Sequence, residues 1–86
     1  MKINFKSVKT QDIEGKEQML DISKDLGNTI YGETMDIGEV ELARRIYLEG
    51  EIELSEGEVE IVKRFIEKFF KGFIKEGFYK IINPKK

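Results

Sequence analysis

The spacing of apolar residues predicts an α+β fold: a β-hairpin at the N-terminus packed against three helices, the C-terminal one the longest. Three observations carry that expectation. Residues 2–8 alternate apolar and polar side chains with a period of two, the pattern of a half-buried strand. Two helix starts of one kind recur along the middle of the chain. After the second, apolar residues return at helical spacing from Val59 to Ile74.

At the N-terminus, Ile3 and Phe5 share one strand face, with Lys2, Asn4 and Lys6 on the other. Residues 17–22 repeat the pattern less cleanly, with Leu20 and Ile22 on one side. Thr10–Lys16 between them contains the turn formers Asp12 and Gly15. Strands 2–8 and 17–22 are therefore expected to pair as an antiparallel hairpin with a long loop. Ser23 is placed to N-cap a short helix over 23–31, with Asp25 in its positive first turn. Leu26, Ile30 and Tyr31 form its apolar side, and Gly27 and Gly32 weaken and then end it.

The next two helices are expected over 36–49 and 55–76. Each opens on a capping residue, Asp36 or Ser55, followed three positions later by Glu39 or Glu58. The cap side chain accepts from the third helical N–H while the glutamate reaches back to the cap's own N–H. Met35 with Val40, and Leu54 with Val59, occupy the positions of a hydrophobic staple. Shared capping physics accounts for most of the likeness between Met35–Ile46 and Leu54–Phe65, and a duplicated helical unit is the alternative. Gly50 is the expected stop of the first of these helices. Glu51–Leu54 alternates and reads either as a short third strand or as an extended linker. In the last helix Val59, Val62, Ile66, Phe69, Phe70, Phe73 and Ile74 share a broad face, opposite Lys63, Glu67, Lys71 and Lys75. Gly77 ends or kinks it, Phe78–Ile82 adds a turn or a return strand, and Pro84 stops what precedes it.

Length and composition set bounds on function. Eighty-six residues make one domain, which buries about 60–65% of its unfolded surface and leaves no room for a deep enclosed cleft. With 40% apolar and 37% charged residues, the chain is expected to be ordered and soluble. It has no cysteine and no histidine, which removes disulfides, thiolate and imidazole metal ligands, and the common nucleophile–base pairs. No apolar run is long enough to span a bilayer, and the N-terminus lacks a secretory apolar core. A cytoplasmic setting is the default.

Charge is strongly segregated. Residues 1–62 carry seven Lys/Arg against fifteen Asp/Glu, whereas residues 63–86 carry eight against two. The basic stretch also holds six of the nine aromatic residues. It suits an anionic membrane surface, nucleic-acid phosphates, or one half of a helix–helix contact. The plainer account makes Phe69, Phe70 and Phe73 the core of a small domain and the lysines its solvated face. Phe65, Phe78 and Tyr79 are then surplus to the interior, forming an exposed apolar patch fringed by Lys68, Lys71, Lys75 and Lys80.

No catalytic, cofactor-binding or metal-binding residues are expected. Gly15-Lys16 lacks the flanking residues of a phosphate-binding loop, and Asp12–Lys16 lacks calcium-loop spacing. The many carboxylates serve solubility, and Tyr31 and Tyr47 sit on apolar helix faces as core residues.

Asp25–Tyr31, Asp36–Gly38, Glu41–Arg44, Ile46–Tyr47 and Gly50–Ser55 together resemble small uncharacterised proteins of bacteriophages and prophages. The resemblance covers about half the chain and implies a mobile-element setting and an accessory or assembly role. The expected function is that of a non-enzymatic interaction module. It binds a protein partner or a second copy of itself through Phe65, Lys68, Lys71, Lys75, Phe78, Tyr79 and Lys80. Nucleic-acid binding by the same lysine-rich helix is the alternative, opposed by the net charge of −2.

Overall fold

The computed structural model describes residues 1–83. Its order is β1 (Lys2–Asn4), β2 (Val8–Gln11), β3 (Glu17–Leu20), α1 (Ser23–Glu33), α2 (Ile37–Glu49), β4 (Glu51–Glu53), α3 (Glu56–Phe69) and α4 (Gly72–Ile82). The fold is α+β, and among the described residues it has four helices rather than three. The role expected of Pro84 lies outside the described residues. No described helix is long and apolar enough to cross a membrane.

Residues 2–8 do not run as one strand. The Asn4 side chain accepts from the Lys6 N–H at 3.0 Å and its carbonyl accepts from the Ser7 N–H at 3.2 Å, closing a turn. The two halves then join different ladders. β1 pairs antiparallel with β4, Ile3 opposite Ile52, and both of these side chains are buried. Glu51–Glu53 is therefore a strand, and its partner is the N-terminus. β2 pairs with β3 in the expected hairpin, Val8 opposite Leu20 and Gln11 opposite Glu17. Its loop is organised by Asp12, whose carboxylate accepts from the Glu14 and Lys16 N–H groups, both at 2.9 Å. Gly15 supplies the left-handed residue there, at φ 88°.

Among the described helices only α3 starts by the local rules in full, and α4 begins after Lys71 with no side-chain cap. Ser55 and Glu58 form the full reciprocal capping box. Asp36 caps α2 by accepting from Gly38 N–H at 2.7 Å, but Glu39 bonds elsewhere and Met35 is fully exposed, so no staple forms. At α1 the cap lies one residue earlier than expected. Ser23 is already helical and buried, and its N–H and hydroxyl both donate to Asp21, at 3.0 and 2.7 Å. These bonds hold the Asp21 carboxyl below the usual carboxylate range. Gly50, at φ 78°, ends α2 as expected. α1 runs past Gly32 to Glu33.

α1 and α2 form a helical hairpin and the most extensive contact between any two elements. Gly27 is where they meet: a Cβ there would sit 2.8 Å from the Tyr47 Cβ and 3.0 Å from the Ala43 carbonyl. Arg45 on α2 donates to the Glu53 carbonyl at 2.8 Å and to the Glu58 carboxylate at 2.9 Å. One side chain thus ties α2 to β4 and α3. The Ser55 N–H first, and Arg45 with it, holds the Glu58 carboxyl below its ordinary range.

The expected long helix over 55–76 is instead two helices. Phe70 and Lys71 are extended, with ψ 157° at each, and the chain turns there. A straight helix of that length would reach about 33 Å and carry its end beyond the core. The break lets α4 fold back on β2, where Gly77 approaches so closely that a Cβ would lie 2.5 Å from the Lys9 carbonyl. Phe78, next to it, is completely buried. α3, with 14 residues, is the longest helix.

The assignment of aromatics to core and surface is correspondingly reversed. Phe65 (7% exposed) and Phe78 (0%) belong to the core with Phe5, Leu26, Ile30 and Ile46. Phe69 and Phe73, expected inside, are each 42% exposed, and Phe70 is partly buried against the core. Tyr31 and Tyr47 are exposed rather than interior.

Denaturant unfolding of three variants checks this assignment. Phe78→Ala is expected to cost about 3–5 kcal/mol, as for a fully buried aromatic. Phe73→Ala should cost about 1 kcal/mol or less. Gly77→Ala should cost about 1–3 kcal/mol, because its methyl meets backbone rather than a movable side chain. Equal losses for the two phenylalanines would contradict the packing.

Candidate functional site

The structure disperses the residues from which the sequence suggested a single patch. Phe65 and Phe78 are structural. Lys68 is exposed on α3, its amine 5.4 Å from the centre of the Phe69 ring. Lys71 is exposed at the break before α4. Lys75, Tyr79 and Lys80 lie on α4, in a groove shared with Lys63 and Glu67 of α3 and with Glu76. Tyr79 is partly buried and its hydroxyl donates to the Glu67 carboxylate. Two cation-bearing regions result in place of one.

The α3–α4 groove is lined by both signs of charge. Lys63, Lys75 and Lys80 supply cations, and Glu67 and Glu76 stand among them. The Glu67 carboxylate holds the proton on Tyr79 and raises that phenol above its ordinary pKa. The bond joins α4 to α3. A polyanion tracking this groove would meet two carboxylates between its phosphate contacts.

The second region is a cleft between the α1–α2 connection and the end of α3. Glu33, Thr34, Met35, Asp36, Ile37 and Glu39 form one wall, and Arg64, Phe65, Lys68 and Phe69 form the other. A chain of bonds fixes its base. The Thr34 hydroxyl accepts from Asp36 N–H at 3.0 Å and donates to Glu39 Oε1 at 2.5 Å. Glu39 Oε2 accepts from Arg64 Nη2 at 2.9 Å. Glu39 is therefore largely enclosed and serves as a strut between α2 and α3 in place of the back-bond to its own cap. Arg64 is committed to this strut, its guanidinium also lying 5.3 Å from the centre of the Phe65 ring.

The rim of the cleft is unusually apolar for a helix connection. Met35 is 102% exposed and Ile37 81%, and they face half-exposed Phe69, whose ring stacks on Phe65 with centroids 6.0 Å apart. Of this cleft the sequence pattern singles out Phe65 and Lys68, while Met35 reads there as half of a staple and Ile37 carries no expectation. The available signal was Met35-Asp36-Ile37 itself, two apolar residues of three where polar ones are usual.

No family model, curated protein or solved structure matches the chain.

The Tyr79–Glu67 bond has a measurable signature. The contribution of a raised folded-state pKa is complete below the ordinary tyrosine value of about 10 and is lost as pH rises through the higher folded value. In an absorbance titration one tyrosine should ionise late, and Glu67→Gln should bring it down. Superimposable curves for the two proteins would show that the bond does not form.

Proposed function

We propose that this chain is a non-enzymatic interaction module that docks a protein through the cleft between the α1–α2 connection and α3. The observation that carries the reading is the exposure of Met35, Ile37 and Phe69 around one concavity whose shape is fixed by the Thr34–Glu39–Arg64 chain. Exposed apolar clusters rimmed by polar groups mark contact surfaces in small proteins. Side chains that gain nothing from folding gain about 1.5–3 kcal/mol each when a partner buries them fully. The basic aromatic segment contributes Lys68 and Phe69 to this surface. Phe65 supports Phe69 from below. The resemblance to phage and prophage proteins supports an accessory or assembly role.

Nucleic-acid binding through Lys63, Lys75 and Lys80 is the second reading, favoured only by their sharing one groove. Phosphate contacts strengthen as salt falls, so a gel shift at low ionic strength is its most permissive test. No shift there removes it.

The docking reading is checked by capture on immobilised protein. Met35→Ser with Ile37→Ser should leave the unfolding midpoint nearly unchanged, since both side chains are exposed. Binding to whatever the wild-type protein captures, a copy of itself included, should weaken by about 10–100-fold. Equal capture by the wild-type protein and the double variant would overturn the reading.

A further inference from the structure

We infer that the occupant of this cleft is a second copy of the chain, placed by a twofold axis over the cleft mouth. The inference rests on the docking reading above and adds the identity of the partner. Its basis is the distribution of charge across the two walls. The wall from the α1–α2 connection carries Glu33, Asp36 and Glu39, whereas the α3 wall carries Arg64 and Lys68. These walls belong to the acidic and basic segments of the sequence, so the cleft is one of the places where the two segments meet at the surface.

An isologous contact requires a surface complementary to itself, in which a residue i of one protomer meets a residue j of its partner and j meets i in return. Rotation by half a turn sets the acidic wall of one protomer against the basic wall of its partner, and the reverse contact is made at the same time. A foreign acidic protein would be repelled by Glu33 and Asp36, and a foreign basic one by Lys68. A second copy satisfies both walls. Within the protomer, Glu39 and Arg64 are already paired with each other, and Asp36 is engaged in capping α2. Glu33 and Lys68 form no ion pair among the described residues, which leaves them to bridge the interface twice. Shape agrees with charge. Met35 and Ile37 project from the acidic wall, and the opposite wall offers the half-open surface of Phe69 over Phe65. The projecting pair of one copy therefore meets the aromatic wall of the other.

Analytical ultracentrifugation over a wide concentration range tests the inference. The wild-type protein should dimerise at low salt, and high salt should weaken the dimer about tenfold as the two exposed charge contacts are screened. Glu33→Lys and Lys68→Glu should each be monomeric under conditions where the wild type is dimeric, because each places like charges together twice. An equimolar mixture of the two variants should recover a heterodimer, since both contacts are then between opposite charges. Met35→Ser with Ile37→Ser should also be monomeric, and circular dichroism should show every variant folded.

A monomeric wild type that captures a different protein in a Met35- and Ile37-dependent manner would overturn the second copy while leaving the docking reading in place. A monomeric wild type whose capture is unaffected by those substitutions would overturn both. A dimer indifferent to the charge reversals and to the apolar substitutions would place its interface elsewhere and overturn this assignment.

Discussion

Phe5 joins parts of the chain that are far apart in sequence. Its ring is fully enclosed in the core. Its N–H donates to the Gly50 carbonyl at 2.8 Å and its carbonyl accepts from Ile22 N–H at 2.8 Å. The first bond fastens the end of α2 to the N-terminal strand, and the second fastens the exit of the hairpin to the same residue. With both backbone groups used and about 1.5–3 kcal/mol available from burying such a side chain, this residue sets where both ladders and the α1–α2 hairpin sit. The left-handed Gly50 belongs to the same arrangement. A Cβ there would fall 2.6 Å from the Lys6 side chain, so the turn that ends α2 also leaves room for the chain leaving Phe5.

Arg45 and Glu39 extend the connection to α3 by the same means, one polar side chain spanning two elements. Arg45 satisfies the Glu53 carbonyl and the Glu58 carboxylate together, and Glu39 joins Thr34 to Arg64. No buried side-chain nitrogen or oxygen among the described residues lacks a partner. The shape of the cleft follows from this framework. Its walls are the outer surfaces of elements held by Glu39, so it is a fixed concavity whose rim residues add little to folding stability.

The break at Phe70–Lys71 decides which aromatics are available for contact. With α4 turned back onto β2, Phe78 fills the interior and Gly77 lies against the Lys9 carbonyl. Phe65 is buried against Phe69 and the Arg64 guanidinium, whereas Phe69 and Phe73 flank the turn and are left half outside. Phe65 and Phe78, expected outside, are interior, and Phe69 and Phe73, expected inside, are half-exposed. The exchange arises because one amphipathic stripe spans residues 59–74 in sequence, whereas the chain folds there as two helices.

Legible from the residues alone are the features encoded within four or five positions: the Ser55–Glu58 box, the Asp36 cap, the Gly50 stop, the Asp12 loop and the alternation of Ile3 and Phe5. Each depends on hydrogen bonds or steric limits between near neighbours, so no distant partner is needed to specify it. Packing of the whole chain sets the pairing of β1 with β4 across the length of the α1–α2 hairpin, the end of α3 at Phe69, and the sharing of one cleft by Met35, Ile37 and Phe69. These depend on which apolar surfaces reach one shared interior. That competition is settled by the whole chain at once, and local spacing carries no record of its result.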